Sequence, residues 1–292
     1  VVRHHDWMKV TRYATAPDYW EVVGPLFEAD PVRHTVALTA LYGLMVVGPE
    51  DDSLLLAIHQ DERLVGATFQ IEPWPLSVSA LPVETHNTLI DYLLDHNLRP
   101  MFVRGPRDVA DPFIDLWRER AGLVITSRRP DRLYRLGELM APDTPGRFRL
   151  ATETDTPLLG RWWDEFSAEV LPGFTGPPGE EQMRRQVAAD RRIGIWLDEQ
   201  DTPVSLASGS APLCGMSRIG PVYTPKEHRG RGYASAVTAA VAQVTLDRGA
   251  RDVLLFADLD NPVSNSIYQR IGFRPVFDAV ESLFGERHTL QA

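Results

Sequence analysis

The chain has 292 residues, with 40 acidic against 30 basic side chains and a formal net charge of −10. That surplus is opposite in sign to the basic balance of nucleic-acid binders, and no apolar run approaches the ~18 residues that a membrane span needs. A single cysteine, Cys214, leaves no intramolecular disulfide and fits a reducing, cytoplasmic compartment.

The length predicts two domains. The start, Val1-Val2-Arg3-His4-His5, shows no signal-peptide core, and His4-His5 lacks nearby Cys or carboxylate partners at metal spacing. No metal site is expected. Ser53 to Ile58 and Arg63 to Gln70 read as a hairpin about Gln60-Asp61-Glu62. Leu76 to Leu81 is a strand, Thr88 to His96 a helix, and Met101 to Val103 another strand. Pro112 to Arg120 reads as a helix ending near Gly122-Leu123.

Met140-Ala141-Pro142-Asp143-Thr144-Pro145-Gly146 reads as a linker. It separates a domain at 1–140 from one at 147–292. Arg147 to Leu150 alternates as a short strand. Asp155-Thr156-Pro157 supplies an N-cap with proline at the helix start, and that helix runs to about Val170. Leu171 to Gly179 is a Pro/Gly-rich loop around Phe174, followed by a helix from Glu180 to Asp190. A hairpin pairs Ile193–Asp198 with Pro203–Ser210, and Met216 to Thr224 is a strand. The helical pattern Ser235 to Asp247 comes next, then the buried-type strand Val253 to Ala257 and a helix from Pro262 to Arg270. Phe273–Val276 and Ser282–Phe284 close the chain as two short strands. Strands with helices between them give a mixed α/β sheet, mainly antiparallel with one parallel pair in its middle.

Arg229-Gly230-Arg231-Gly232-Tyr233-Ala234 carries the chemistry. A strand that feeds a helix through a basic, glycine-containing turn suits an anion. The first helical turn has N–H groups without intrahelical partners, and the macrodipole adds partial positive charge there. Glycine permits positive φ and close approach to the main chain. Arg229 and Arg231 would add charge at the rim. The turn has no Gly-x-x-x-x-Gly-Lys-Ser/Thr, and it lacks the third glycine of the dinucleotide pattern.

The half from Phe148 to Phe284 resembles the Gcn5-related N-acetyltransferase (GNAT) superfamily. Arg229, Gly232 and Ala234 fill its acyl-CoA signature, Gln/Arg-x-x-Gly-x-Gly/Ala, after Val222-Tyr223-Thr224-Pro225, which is similar to the family's fourth strand. Asn261 to Phe273 is similar to its Asn-x-x-(Ser/Ala)-x-x-x-Tyr-x-x-x-Gly-Phe stretch. The resemblance implies acetyl-CoA as co-substrate, with its pyrophosphate on Arg229, Gly230, Arg231, Gly232, Tyr233, Ala234 and Ser235. It also implies that the pantetheine arm runs along Val222, Tyr223 and Thr224, in a slot opened where that strand splays from Val253–Ala257. Asn261 would bond the arm or cap its helix. Tyr268 matches the family's general acid, since a phenol of pKa ~10 stays protonated at neutral pH. A main-chain N–H near Val222 would face the oxyanion. Asp164, Glu165 and Glu169 are candidate bases, and Trp162, Trp163 and Phe174 candidate walls of the acceptor pocket. No metal is implied.

The order of elements in the first half repeats that of the second, with Pro112-to-Gly122 matching the step from Pro262 to Gly272. Pro82-Val83-Glu84-Thr85-His86 stands where the glycine turn should be, and Arg118 where Tyr268 stands. The expected architecture is therefore two acyl-CoA N-acyltransferase-like domains in tandem, the first degenerate and without a phosphate loop. The leading function is an acetyl-CoA-dependent N-acetyltransferase acting on a primary amine, in a small molecule or a peptide, by direct attack. The alternatives are an aminoacyltransferase of tandem build using charged tRNA and a non-catalytic acyl-CoA-binding regulator. Neither nucleic acid nor membrane is an expected partner, and a homodimer is left open.

Overall fold

The computed structural model describes residues 8–48, 53–170 and 175–286. The described residues form two compact units, one of 8–45, 53–131 and 277–286, the other of 46–48, 132–170 and 175–276. The His4-His5 pair lies outside the described residues. Among the described residues no helix is long and apolar enough to cross a membrane.

The first unit opens with β1 (Met8–Tyr13), α1 (Ala16–Glu28) and α2 (Thr35–Val47). Then come β2 (Leu54–Gln60), β3 (Arg63–Gln70), β4 (Leu76–Ala80), α3 (His86–Asp95), β5 (Phe102–Pro106) and α4 (Arg107–Arg120). Strand β6 (Leu123–Leu136) carries the chain across the boundary at Asp131. The second unit contains β7 (Arg147–Leu150), α5 (Thr156–Val170), α6 (Gly179–Ala188), β8 (Arg192–Leu197), β9 (Pro203–Gly209), β10 (Met216–Tyr223), α7 (Tyr233–Asp247), β11 (Asp252–Asp258) and α8 (Pro262–Arg270). β12 (Phe273–Glu286) starts in the second unit and ends in the first, where Ala279–Leu283 pairs antiparallel with β5.

Strand order is β1-β2-β3-β4-β5-β12 in the first unit and β11-β10-β9-β8-β7 in the second, where the last residues of β6 lie beside β11. A parallel pair joins β4 with β5 in the first and β10 with β11 in the second. The first core joins Leu56, Ile58, Leu76, Leu89, Phe113 and Trp117; the second joins Ile219, Val237, Val241, Val253, Leu255 and Phe273. Helix α7 lies tight on its sheet because glycines face it. A Cβ on Gly194 would stand 2.6 Å from Val241 Cγ2, and one on Gly209 2.7 Å from Thr245 Cγ2.

Several expectations need correction. The two short closing strands are one fourteen-residue strand, β12, which runs through Pro275. Pro112 is inside α4 rather than at its start, because the helix begins at Arg107. Its end keeps the repeat, with Gly122 (φ 70°) and Gly272 (φ 109°) both just past a helix. Asp155 does not cap α5 alone: it closes a capping box with Thr152 and holds Arg149 through two 2.7 Å bonds, which keep its carboxyl down at about 2. The sequence reading had no element for β1, α1, α2 or β6.

Candidate active site

The parallel register of β10 and β11 runs from Met216↔Asp252 to Ile219↔Leu255 and ends there. β10 stays with β9, but its register shifts between Ile219↔Gly209 and Val222↔Ala207. Three steps on β10 therefore face two on β9, which is a bulge. It turns the end of β10, residues 222 and 223, away from β11. Ser205 holds that end, donating to Tyr223 O over 3.0 Å and sharing a 2.8 Å hydrogen bond with Thr224 Oγ1.

Beyond Thr224 a short 3-10 turn, Lys226–His228, leads to Arg229 in extended conformation. Gly230 and Gly232 follow with φ of 78° and 82°, where a side chain would be strained. Gly232 is the N-cap of α7 and offers no side-chain hydrogen bond. The donors left at the helix start are main-chain N–H groups. Tyr233 is buried, while Ala234 and Ser235 are half-buried on the first turn. Arg231 is exposed and makes no ion pair among the described residues. This set of amides plus one free guanidinium fits a diphosphate.

Arg229 is placed differently from expectation. Its guanidinium forks onto Glu169 at 2.9 and 2.8 Å, donates to Thr224 O over 2.9 Å and lies 5.9 Å from the Tyr223 ring centre. It braces the turn against α5 instead of adding free charge at the rim. The same bond takes Glu169 out of the candidate bases and pulls its carboxyl below the ordinary range. Asp164 is engaged too, accepting from Gly179 N at the start of α6 over 3.0 Å. Glu165 is exposed and accepts the Tyr223 hydroxyl over 2.8 Å. Burial, followed by Glu165, pushes the Tyr223 phenol up to about 12. Trp162 and Phe166 pack beside Tyr223, and Trp163 is buried on α5. Phe174 lies outside the described residues.

Tyr268 sits on α8, half-buried, with its ring 6.2 Å from that of Phe273. Among the described residues its hydroxyl has no hydrogen-bond partner. Burial raises its phenol to about 12. Asn261 caps α8, accepting from Ser264 N over 3.1 Å. Asn265, which the motif reading passed over, donates to Asp258 O over 2.7 Å and accepts from Tyr134 Oη over 2.6 Å, tying α8 to β6. Thr144 was also missed: its Oγ1 lies 3.1 Å from where a Cβ on Gly232 would stand.

The first unit keeps the bulge, with β4 shifting against β3 between Ala67↔Ala80 and Phe69↔Ser77, and its β4 leaves β5 after Ser77↔Arg104, but it lacks the glycine turn. There a 3-10 turn, Val83–Thr85, runs straight into α3 at His86. Thr85 and His86 are buried at the helix start. On the sheet, Gly105 of β5 lies against Val78 of β4, since a Cβ there would stand 2.7 Å from Val78 Cγ2.

The FR47-like protein family matches residues 198–281, a span holding both the glycine turn and α8. N-alpha-acetyltransferase 30 of Schizosaccharomyces pombe is 42% identical over 84 residues, which cover 29% of this chain and 51% of its own. The chain thus spans about half the length of that relative. A mycothiol acetyltransferase of Paenarthrobacter aurescens is 25% identical over 284 residues, covering 90% of this chain and 80% of its own. A solved tandem GNAT protein from the clavulanic acid biosynthesis pathway superposes with a TM-score of 0.59 at 14% identity, covering 96% of this chain and 98% of its own. The fold is that of the GNAT acetyltransferases, built as two domains in tandem. The resemblance carried by the two sequence motifs is borne out.

Proposed function

We propose that the chain is an acetyl-CoA-dependent N-acetyltransferase with one working site, in the half from 147 to 292. The observation that carries this reading is the conjunction, within one unit, of a strand that leaves its parallel neighbour at Ile219↔Leu255 and an uncapped helix start at Gly232. The names of its relatives, all acetyltransferases, support it. Residues 1–140 form the degenerate copy, in which a 3-10 turn running straight into α3 stands in place of the glycine turn.

In this reading the N–H groups from Gly230 to Ser235 hold the diphosphate, and Arg231 adds charge beside it. Val222, Tyr223 and Thr224 offer main-chain partners to the amide-rich arm. The N–H of Val222 meets the charge that develops on the acetyl oxygen when the amine attacks. Tyr268 delivers a proton to the departing sulfur; its raised pKa keeps it protonated, and its hydroxyl has no other partner to leave. Asp164 and Glu169 are committed to Gly179 and Arg229, so the amine arrives already neutral or loses its proton through water. The relatives' names suggest two acceptor classes for the test panel, a peptide α-amine and a small-molecule amine.

The test is calorimetry with coenzyme A, followed by thiol release from acetyl-CoA across an amine panel. Micromolar binding with amine-dependent release is expected. No heat at millimolar coenzyme A removes the reading. Binding without turnover leaves the acyl-CoA-binding regulator, and acyl transfer from charged tRNA alone leaves the aminoacyltransferase.

A further inference from the structure

Arg191 lies between α6 and β8, and its guanidinium is spent on carbonyls. Nε donates to Ser208 Oγ over 2.9 Å, and Nη2 to Ser208 O over 3.3 Å, to Arg218 O over 3.4 Å and to Gly220 O. Among the described residues it makes no ion pair with a carboxylate. Burial alone pulls its pKa down to about 10. A desolvated guanidinium without an anion is costly to place, and it persists where its hydrogen bonds satisfy groups that nothing else reaches.

Ser208 O and Gly220 O belong to the bulge, whereas Arg218 O lies just before it and also accepts from Ser210 N over 3.1 Å. Between Ile219↔Gly209 and Val222↔Ala207, β10 carries Gly220 and Pro221 opposite the single residue Ser208. A bulge takes backbone groups out of the ladder, and a buried carbonyl left without a donor costs free energy. Pro221 has no N–H, and Gly220 sits at φ 148°. Arg191 supplies the donors that regular pairing would have given, reaching Ser208 O on β9 and Gly220 O on β10 from one planar fork. The fork is itself anchored. Arg191 N donates to Gln186 O over 3.0 Å, and Ser208 Oγ donates to Gln186 Oε1 over 3.0 Å.

We infer that Arg191 is the positioning residue of the site: it fixes β10 in its bulged path at the step where β10 parts from β11, and so sets the slot and the Val222 amide. The catalytic consequence rests on the transfer activity proposed above; the effect on the strand does not.

The experiment is hydrogen–deuterium exchange on the full chain, comparing wild type with Arg191→Gln and Arg191→Lys, beside steady-state kinetics. In Arg191→Gln, exchange across residues 216–224 should rise about tenfold or more while α7 stays protected, with Arg191→Lys between the two. The kcat of Arg191→Gln should fall about tenfold or more with KM for acetyl-CoA within about threefold, because the diphosphate turn is untouched. Unchanged exchange across 216–224, or a rise spread evenly over the second unit, overturns the inference. So does faster exchange with wild-type kcat. If Arg191→Gln does not fold, Arg191→Lys is judged by the same two readouts. If the wild type acetylates no amine, the proposed activity fails, and exchange across 216–224 still decides the role of Arg191.

Discussion

The phenol of Tyr223 donates to Glu165 Oε2 over 2.8 Å and joins the end of β10 to α5. Burial, reinforced by Glu165, raises this phenol to about 12. The folded chain therefore keeps a proton that the unfolded chain releases near pH ~10. Stability from this pair is complete below that pH and is lost as pH rises towards the folded value. A shift of this size corresponds to roughly 3 kcal/mol at most. Urea unfolding of the wild type should weaken from pH ~9 to ~11, and Tyr223→Phe should flatten that decline. An equally steep decline in the variant would remove Tyr223 from the account.

The two arginines of the turn should behave differently. Arg229 is held by Glu169, whereas Arg231 is exposed and makes no ion pair among the described residues. Arg231→Ala should weaken coenzyme A binding about three- to tenfold in low salt, and less as ionic strength screens the charge. Glu169→Gln breaks an exposed pair of the kind worth about 0–1 kcal/mol, so it should move the affinity by less than about threefold. Calorimetry at two salt concentrations checks both. The reverse ranking would mean that Arg229 is the phosphate ligand.

Gly232 tests the main chain rather than the side chains. At φ 82°, with Thr144 Oγ1 3.1 Å from the Cβ position, alanine there brings strain of about 1–2 kcal/mol. The helix start then relaxes and its N–H groups lose their common aim. Gly232→Ala should lower coenzyme A affinity about tenfold, while circular dichroism reports an intact α7. Wild-type affinity in that variant would move the diphosphate elsewhere.

The half from 147 to 292 was legible wherever the rules are local. The helix from Pro262 to Arg270 forms as read, because an Asn cap, a proline in the first turn and a glycine past the end are short-range signals. The glycine turn was legible for the same reason. What escaped were pairings across distance: Glu165 with Tyr223 is 58 residues apart and Glu169 with Arg229 is 60, and no periodicity links them. Arg191 escaped because its partners are carbonyls, which every residue has. Helix α2 escaped because its sequence, Thr35–Val47, is apolar nearly all round and carries little helical periodicity. β6 escaped altogether, and β12 was read as two short strands because no local signal joins Phe273–Val276 to Ser282–Phe284.

Tyr268 is where binding and chemistry should separate. Its ring packs against Phe273 and the second core, so Tyr268→Phe keeps the packing and removes only the hydroxyl. That hydroxyl makes no hydrogen bond among the described residues, and its loss leaves no buried partner stranded. Stability should change by less than about 1 kcal/mol. Coenzyme A affinity should hold within about twofold, because the proposed diphosphate contacts lie at the start of α7. A general acid of this kind contributes about a hundredfold or more to the rate, so kcat should fall by that order with a good amine. The loss should be smaller for an acyl donor whose thiolate leaves without a proton. Equal losses for both donors would make Tyr268 a wall of the slot rather than the acid.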